Sequence, residues 1–202
     1  MNLLERLEHT SPYRSLREEL NRKLIGWMSE DYLHSLGSKL RVAELACGSA
    51  YGSSLLAESD SVEMSVGLDL NMALFANEPD AEKRKSAVCL VQGDLLKPPF
   101  APESFDFVWS SSSIEHFPDP ASGIASMARL LKPGGLLFVG VPYVWGPLAT
   151  YFLTPDASWR EWIGKPFTYT QLEKCCRDAG VEPLGRRTYF FRFFCGVMAR
   201  KS

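Results

Sequence analysis

Strand-like apolar runs alternate with helix-like segments along most of this chain, and that alternation commits it to a mainly parallel sheet covered by helices on both faces. The runs are Arg41 to Ala46, Met64 to Leu70, Ala87 to Gln92, Phe105 to Ser110 and Leu136 to Val141. Helical patterns fall between them at Ser53 to Glu58, Asn71 to Lys85 and Ala121 to Leu131. Asp119-Pro120 supplies a capping acid and a first-turn proline for the third helix, and Lys132-Pro133-Gly134-Gly135 is expected to stop it. Ahead of the sheet, Pro12 to Leu36 spaces Leu16, Leu20, Leu24, Trp27 and Met28 along one helical face, so residues 1–38 read as a helical extension on the core or over a ligand site. A further helix, Thr168 to Ala179 with Gly180 as its cap, precedes two strands, Glu182 to Phe191 and Phe193 to Ala199, close enough to pair antiparallel. The expectation is an α/β three-layer sandwich around a mostly parallel seven-stranded sheet with an antiparallel carboxyl-terminal strand.

With 202 residues, 46% of them hydrophobic, the chain is expected to form one domain spanning residues 1–202. Its 22 basic against 24 acidic residues give a net charge of -2, with no basic face for nucleic acid. Charged residues in Met1-Asn2-Leu3-Leu4-Glu5-Arg6 argue against a signal peptide, and five cysteines without a CxxC pair fit a reducing cytoplasm better than disulfides or a metal site. Pro133 to Pro155 carries no charge, but its glycines and prolines would leave backbone unpaired in lipid, so no membrane span is expected.

In an open α/β sheet, ligands gather at the carboxyl ends of the strands where strand order reverses. Three such ends carry informative residues. Val42 to Gly52 is an apolar strand running through Ala46, Cys47, Gly48, Ser49 and Ala50 into a helix, a turn spare enough in side chains for a ligand to touch backbone. Asp69 ends the second strand at the distance where an acid grips ribose hydroxyls. Gly93-Asp94-Leu95 follows the third, where Asp94 could accept from an adenine amino group held between Leu70 and Leu95, or serve as a turn residue. Tyr51 is bulky where a dinucleotide fingerprint needs Gly or Ala, which disfavours a nicotinamide cofactor.

Taken in order, these residues resemble the class I S-adenosylmethionine-dependent methyltransferases of the small-molecule type, from about Arg41 to Pro142. Val42 to Gly52 is similar to the family's glycine-rich first motif, Gly67-Leu68-Asp69-Leu70-Asn71 to its acidic second, and Gln92-Gly93-Asp94-Leu95 to its third. Pro99-Phe100, Ser104 to Val108, Ser113 to Pro120 and Leu130 to Gly135 continue the series. The resemblance implies a Rossmann-like fold and S-adenosyl-L-methionine as cofactor. It places Glu44 beneath the methionine portion, Ala46, Cys47, Gly48 and Ser49 against the cofactor, and Asp69 on the ribose. Leu70, Asp94 and Leu95 would hold the adenine, with Ser110 and Ser111 near the methionine end. Ala46 and Ala50 stand where the family usually has glycine, and Glu44 where Asp is commoner.

Methyl transfer from a sulfonium chiefly requires the acceptor to be aimed. If a base assists, His116 at the mouth of the crevice is the first candidate and Glu115 the second. Tyr143, Trp145, Trp159 and Trp162 head an aromatic loop, residues 143–167, that reads either as the wall of an acceptor pocket or as a surface loop tucked into the core. The run Ser110-Ser111-Ser112-Ser113 replaces the Pro-Pro-Tyr cradle of amino-directed nucleic-acid methyltransferases, so the expected partner is a small organic acceptor methylated on oxygen, nitrogen or carbon. A cofactor-binding protein without transferase activity, and a subunit acting on or with another protein, remain alternatives.

Overall fold

The computed structural model describes residues 11–76, 85–147 and 164–202. Helix α1 (Ser11–Asp31) and a 3-10 turn (Leu33–Leu36) lead into β1 (Leu40–Leu45), α2 (Tyr51–Ala57), β2 (Val62–Asp69), the single turn α3 (Ala73–Ala76) and β3 (Cys89–Gln92). Then come β4 (Phe105–Ser111), a second 3-10 turn (Ile114–His116), α4 (Pro120–Leu130), β5 (Leu131–Pro142), α5 (Tyr169–Asp178), β6 (Val181–Tyr189) and β7 (Phe194–Lys201). The strands form one sheet in the order β3-β2-β1-β4-β5-β7-β6. β1 to β5 run parallel, whereas β7 is antiparallel to both β5 and β6. The expected sheet class, with its reversed carboxyl-terminal strand, is therefore the observed one. Strand order reverses between β1 and β4, which opens the crevice that such sheets use for ligands.

Each buried strand sends alternate side chains to two separate cores. Leu137, Val139 and Val141 of β5 face Ile124 and Met127 of α4 and Leu172 of α5. Leu136 and Phe138 face Leu24, Trp27 and Met28 of α1 and Leu55 and Leu56 of α2. The second core is built of large aromatics fitted into positions that glycine leaves empty. A Cβ on Gly52 would stand 2.3 Å from the Trp109 ring, one on Gly196 2.4 Å from Phe138, and one on Gly140 2.0 Å from the Tyr189 hydroxyl. Gly140 and Gly196 face each other across the β5–β7 ladder, so the two rings occupy one shared gap.

Helix ends follow their local chemistry. Asp119 Oδ1 accepts from the Ala121 amide at 3.1 Å ahead of Pro120, as the sequence predicts. At α5, Thr168 and Gln171 form a reciprocal capping box.

Several boundaries differ from the sequence reading. Lys132 to Gly135 stops α4 but does not separate it from the next strand. β5 begins at Leu131, because Lys132 Nζ binds both oxygens of Asp106 at 2.7 and 2.9 Å and pins the segment to β4 as an irregularity in register. The apolar face of α1 starts later than expected: Leu16 is exposed, and burial begins at Leu24. Of the helix expected over Asn71 to Lys85, Ala73–Ala76 is helical and residues 77–84 lie outside the described residues.

A single methyl forced into a close-packed core costs about 1–3 kcal/mol. Gly196→Ala is accordingly expected to lower unfolding free energy by about that amount in a denaturant titration. Adding Phe138→Leu, which removes the ring the new methyl meets, should recover part of the loss.

Candidate functional site

The carboxyl ends of β1, β2 and β4 enclose two adjoining cavities. The larger, about 450 Å³, is bounded by Glu44 and the turn from Ala46 to Ser49, by Trp109 and Ser111 of β4, by Arg17 and Asn21 of α1, and by Phe190 and Phe194 of the β6–β7 hairpin. The smaller, about 260 Å³, is bounded by Leu70, Asp94, Leu95, His116 and Phe117. Ala46, Asp69, Ser112 and Ser113 line both, so the two form one elongated cleft.

The turn after β1 is built from left-handed residues: Ala46 at φ 58°, Gly48 at 50° and Ala50 at 52°. Glycine would take these angles freely, whereas each alanine takes them at a cost of about 1–2 kcal/mol. Two carboxylates hold the turn in place. Glu44 Oε2 accepts from the Ser53 amide at 2.8 Å and from its hydroxyl at 2.5 Å, fixing the start of α2. Asp69 Oδ2 accepts from the Gly48 amide and Oδ1 from the Asn71 amide, both at 2.8 Å, which ties the ends of β1 and β2 together. Each Asp69 oxygen keeps a lone pair that can receive a hydroxyl from the cleft.

Electrostatics set the resting charge of this floor. Burial pushes the Glu44 carboxyl from 4.5 up to about 8 despite the two Ser53 hydrogen bonds, and the charge of Asp69 adds to the rise. Burial also pushes the Cys47 thiol upward, so Cys47 offers its backbone rather than a thiolate. Trp109 Nε1 is buried at the cleft wall without a hydrogen-bond partner among the described residues. Together with Glu44 and Asp69 it makes a floor that matches a ligand carrying cationic and hydroxyl groups.

The remaining sequence candidates are distributed unevenly. Leu95 is buried and Leu70 is 66% exposed, so they meet the smaller cavity from floor and rim. Asp94 lines that cavity while its Oδ1 also caps its own turn through the Leu96 amide at 2.8 Å. Ser111 faces the larger cavity and pairs with the Tyr189 hydroxyl at 2.7 Å. Ser110, one residue earlier in the strand, is turned to the opposite face by the two-residue period of β4; it is buried and lines neither cavity. His116 borders only the smaller cavity, half-exposed, with its pKa lowered by burial. Tyr143 packs against Tyr169 at 5.3 Å and Trp145 is 73% exposed, so among the described residues the aromatics at the cleft are not these two. Trp159 and Trp162 lie outside the described residues.

Tyr51, Trp109, Phe190 and Phe194 line the larger cavity instead. Phe190, Phe191 and Arg192 form an uninterrupted left-handed run at φ 50°, 55° and 65°, the kind of backbone strain that gathers at functional sites. The sequence reading missed Phe190, Phe194, Arg17 and Asn21 because they reach the cleft from opposite ends of the chain. Trp109 had a usable signal, an outsized aromatic immediately before the serines of a strand end.

Comparison with known proteins bears on the family and the fold. Residues 43–139 match the family model described as a methyltransferase domain. The chain is 32% identical over 199 residues to a ubiquinone biosynthesis O-methyltransferase of Paracidovorax citrulli, covering 88% of this chain and 76% of that one. It is 31% identical over 157 residues to a demethylmenaquinone methyltransferase of Beutenbergia cavernae, covering 72% of this chain but only 62% of the relative's length. In fold it is similar to magnesium protoporphyrin IX methyltransferase from Synechocystis PCC 6803 with bound SAH, at TM-score 0.73 and 16% identity over 100% of this chain and 89% of that one.

A carboxyl whose pKa is raised on folding binds a proton that the unfolded chain has released, so stability falls as pH rises from about 4.5 to about 8 through Glu44. Glu44→Gln is expected to flatten that decline, measured as unfolding free energy from pH 5 to pH 8. A slope unchanged by the substitution would remove Glu44 as its source.

Proposed function

We infer the function from one established fact, that this chain belongs to the class I S-adenosylmethionine-dependent methyltransferase family, whose cofactor is S-adenosyl-L-methionine. The reading best supported is methyl transfer to a small aromatic acceptor. The continuous cleft carries it: one cavity suited to an amino-acid moiety, one suited to a base, and Asp69 where they meet. Glu44 and the turn Ala46, Cys47, Gly48 and Ser49 would hold the methionine portion, Asp69 the ribose hydroxyls, and Leu70, Asp94 and Leu95 the adenine. Bound there, the cofactor supplies an electrophilic methyl group.

For the acceptor, Phe190 and Phe194 offer ring faces at the larger cavity, and Arg17 and Asn21 offer polar groups beside them. The two relatives, named for ubiquinone biosynthesis and demethylmenaquinone, favour a ring acceptor, and the first is named an O-methyltransferase. The five free cysteines support a cytoplasmic setting, and no helix of the described residues is long and apolar enough to cross a membrane.

Calorimetric titration with S-adenosylmethionine and with NAD tests the cofactor assignment. The sulfonium cofactor alone should bind, and Asp69→Ala should weaken it about ten- to hundredfold through lost charge-assisted hydrogen bonds. Dinucleotide binding without S-adenosylmethionine binding would overturn the reading. For the acceptor, Phe194→Ala is expected to raise KM for catechol while leaving cofactor affinity within about twofold; equal losses in both would place the acceptor elsewhere.

A further inference from the structure

Glu115 is a buried carboxyl that the cofactor site does not account for, held within its own turn by the Glu115 and Ser113 backbone and the Ser112 hydroxyl. It sits in the 3-10 turn after β4, 3% exposed, with Oε1 accepting from the Ser112 hydroxyl at 2.9 Å. Its other oxygen, Oε2, is buried without a hydrogen-bond partner among the described residues. A buried carboxylate oxygen left in that state costs free energy, so it implies a purpose beyond packing.

Ser112 is the link to the cleft. It lines both cavities, and it holds a left-handed backbone at φ 60° that a serine adopts only under constraint. That conformation aims its hydroxyl inward at Glu115 while the residue itself stands at the junction where the reacting methyl would be presented. His116, by contrast, borders only the half assigned to adenine.

Resting on the function proposed above, we propose that Ser112 and Glu115 form a proton relay for a hydroxyl acceptor, which makes this chain an O-methyltransferase. As the acceptor oxygen bonds to the methyl carbon, the carbon–sulfur bond breaks and its electron pair returns to sulfur. The hydroxyl proton passes to Ser112 Oγ, Ser112's own proton passes to Glu115 Oε1, and the carboxylic acid so formed later releases that proton to solvent. Ser112 touches the acceptor; Glu115 acts through it.

The surroundings suit the task. His116 Nε2 is 3.9 Å from Glu115 Oε1, and Tyr189 of β6 and Cys195 of β7 face the carboxylate from the sheet. From the segment before α5, a Cβ on Gly164 would stand 2.6 Å from Glu115 Cγ, and the Lys165 amide donates to the Glu115 carbonyl at 3.1 Å. The Lys165 ammonium is directed instead over the Phe167 ring at 6.0 Å. Burial pushes Glu115 from 4.5 up to about 7 against the opposing pull of the Glu115 and Ser113 backbone and the Ser112 hydroxyl, a range in which a carboxylate can both take and return a proton near neutrality.

The test compares catechol, whose hydroxyls are neutral near pH 7, with 4-nitrocatechol, which is ionised there and needs no base. Wild-type turnover of catechol should rise with pH through about 7. Ser112→Gly and Glu115→Gln should each lose about a hundredfold on catechol, flatten that pH profile and change 4-nitrocatechol turnover less than about fivefold. Glu115→Asp should restore part of the catechol rate. Ser112→Gly relieves the left-handed serine, so its melting temperature should hold or rise, separating lost proton transfer from lost folding. In the cofactor-free protein, the wild-type minus Glu115→Gln infrared difference spectrum, in which the Glu44 carboxyl cancels, should show a protonated carboxyl band that vanishes as pH rises through about 7. Equal losses on both catechols, or an unchanged pH profile, would overturn the relay. S-adenosylmethionine binding without turnover of either catechol would overturn it too, while failure to bind S-adenosylmethionine would overturn the function on which it rests.

Discussion

The cleft depends on the carboxylate of Asp69. One side chain at the end of β2 receives an amide from the turn after β1 and another from its own strand end, so β1, which borders the reversal of sheet order, is locked at one height with its neighbour β2. Were that link absent, the left-handed turn would lose the acceptor that orients Gly48. Glu44 supplies the matching constraint from below, fixing the first turn of α2 through Ser53. The same two acids that shape the turn also line the floor of the cleft, so here structural and binding roles fall to the same atoms.

Behind this floor, space is managed by pairing glycine with a large aromatic. Trp109 packs over Gly52, Phe138 over Gly196 and Tyr189 over Gly140. The last pair extends into function, because the room left by Gly140 allows the Tyr189 hydroxyl to reach Ser111 at the cleft. Burial pushes the Tyr189 hydroxyl well above its ordinary value of 10, which keeps it neutral and available as a hydrogen-bond partner. The core on the α1 side thus continues without a break into the wall of the site.

Features set by short-range chemistry were legible in the sequence. The strand ends carrying Glu44, Asp69 and Asp94, the Asp119 cap and the antiparallel final pair all follow from patterns a few residues long. What the sequence hid was decided by distance or by a single residue of register. Ser110 and Ser111 look interchangeable, yet the pleat sends one into the core and the other to the cleft. Phe190 and Phe194 gave no signal, because only the pairing of β7 with β5 brings that hairpin beside the turn after β1. Lys132 to Gly135 read as a simple stop because its partner, Asp106, stands 26 residues away in sequence.

The alanines at 46 and 50 have a consequence for how ligands arrive. A glycine-rich turn samples many backbone conformations when empty, and the entropy of ordering it is subtracted from binding. Alanine at positive φ is strained in the folded protein but has fewer conformers to lose, so ordering is completed when the chain folds rather than when the site fills. This chain exchanges some native stability for a turn that is stiff in advance, and discrimination between ligands then rests on fit to a fixed shape rather than on a loop that adapts to each visitor.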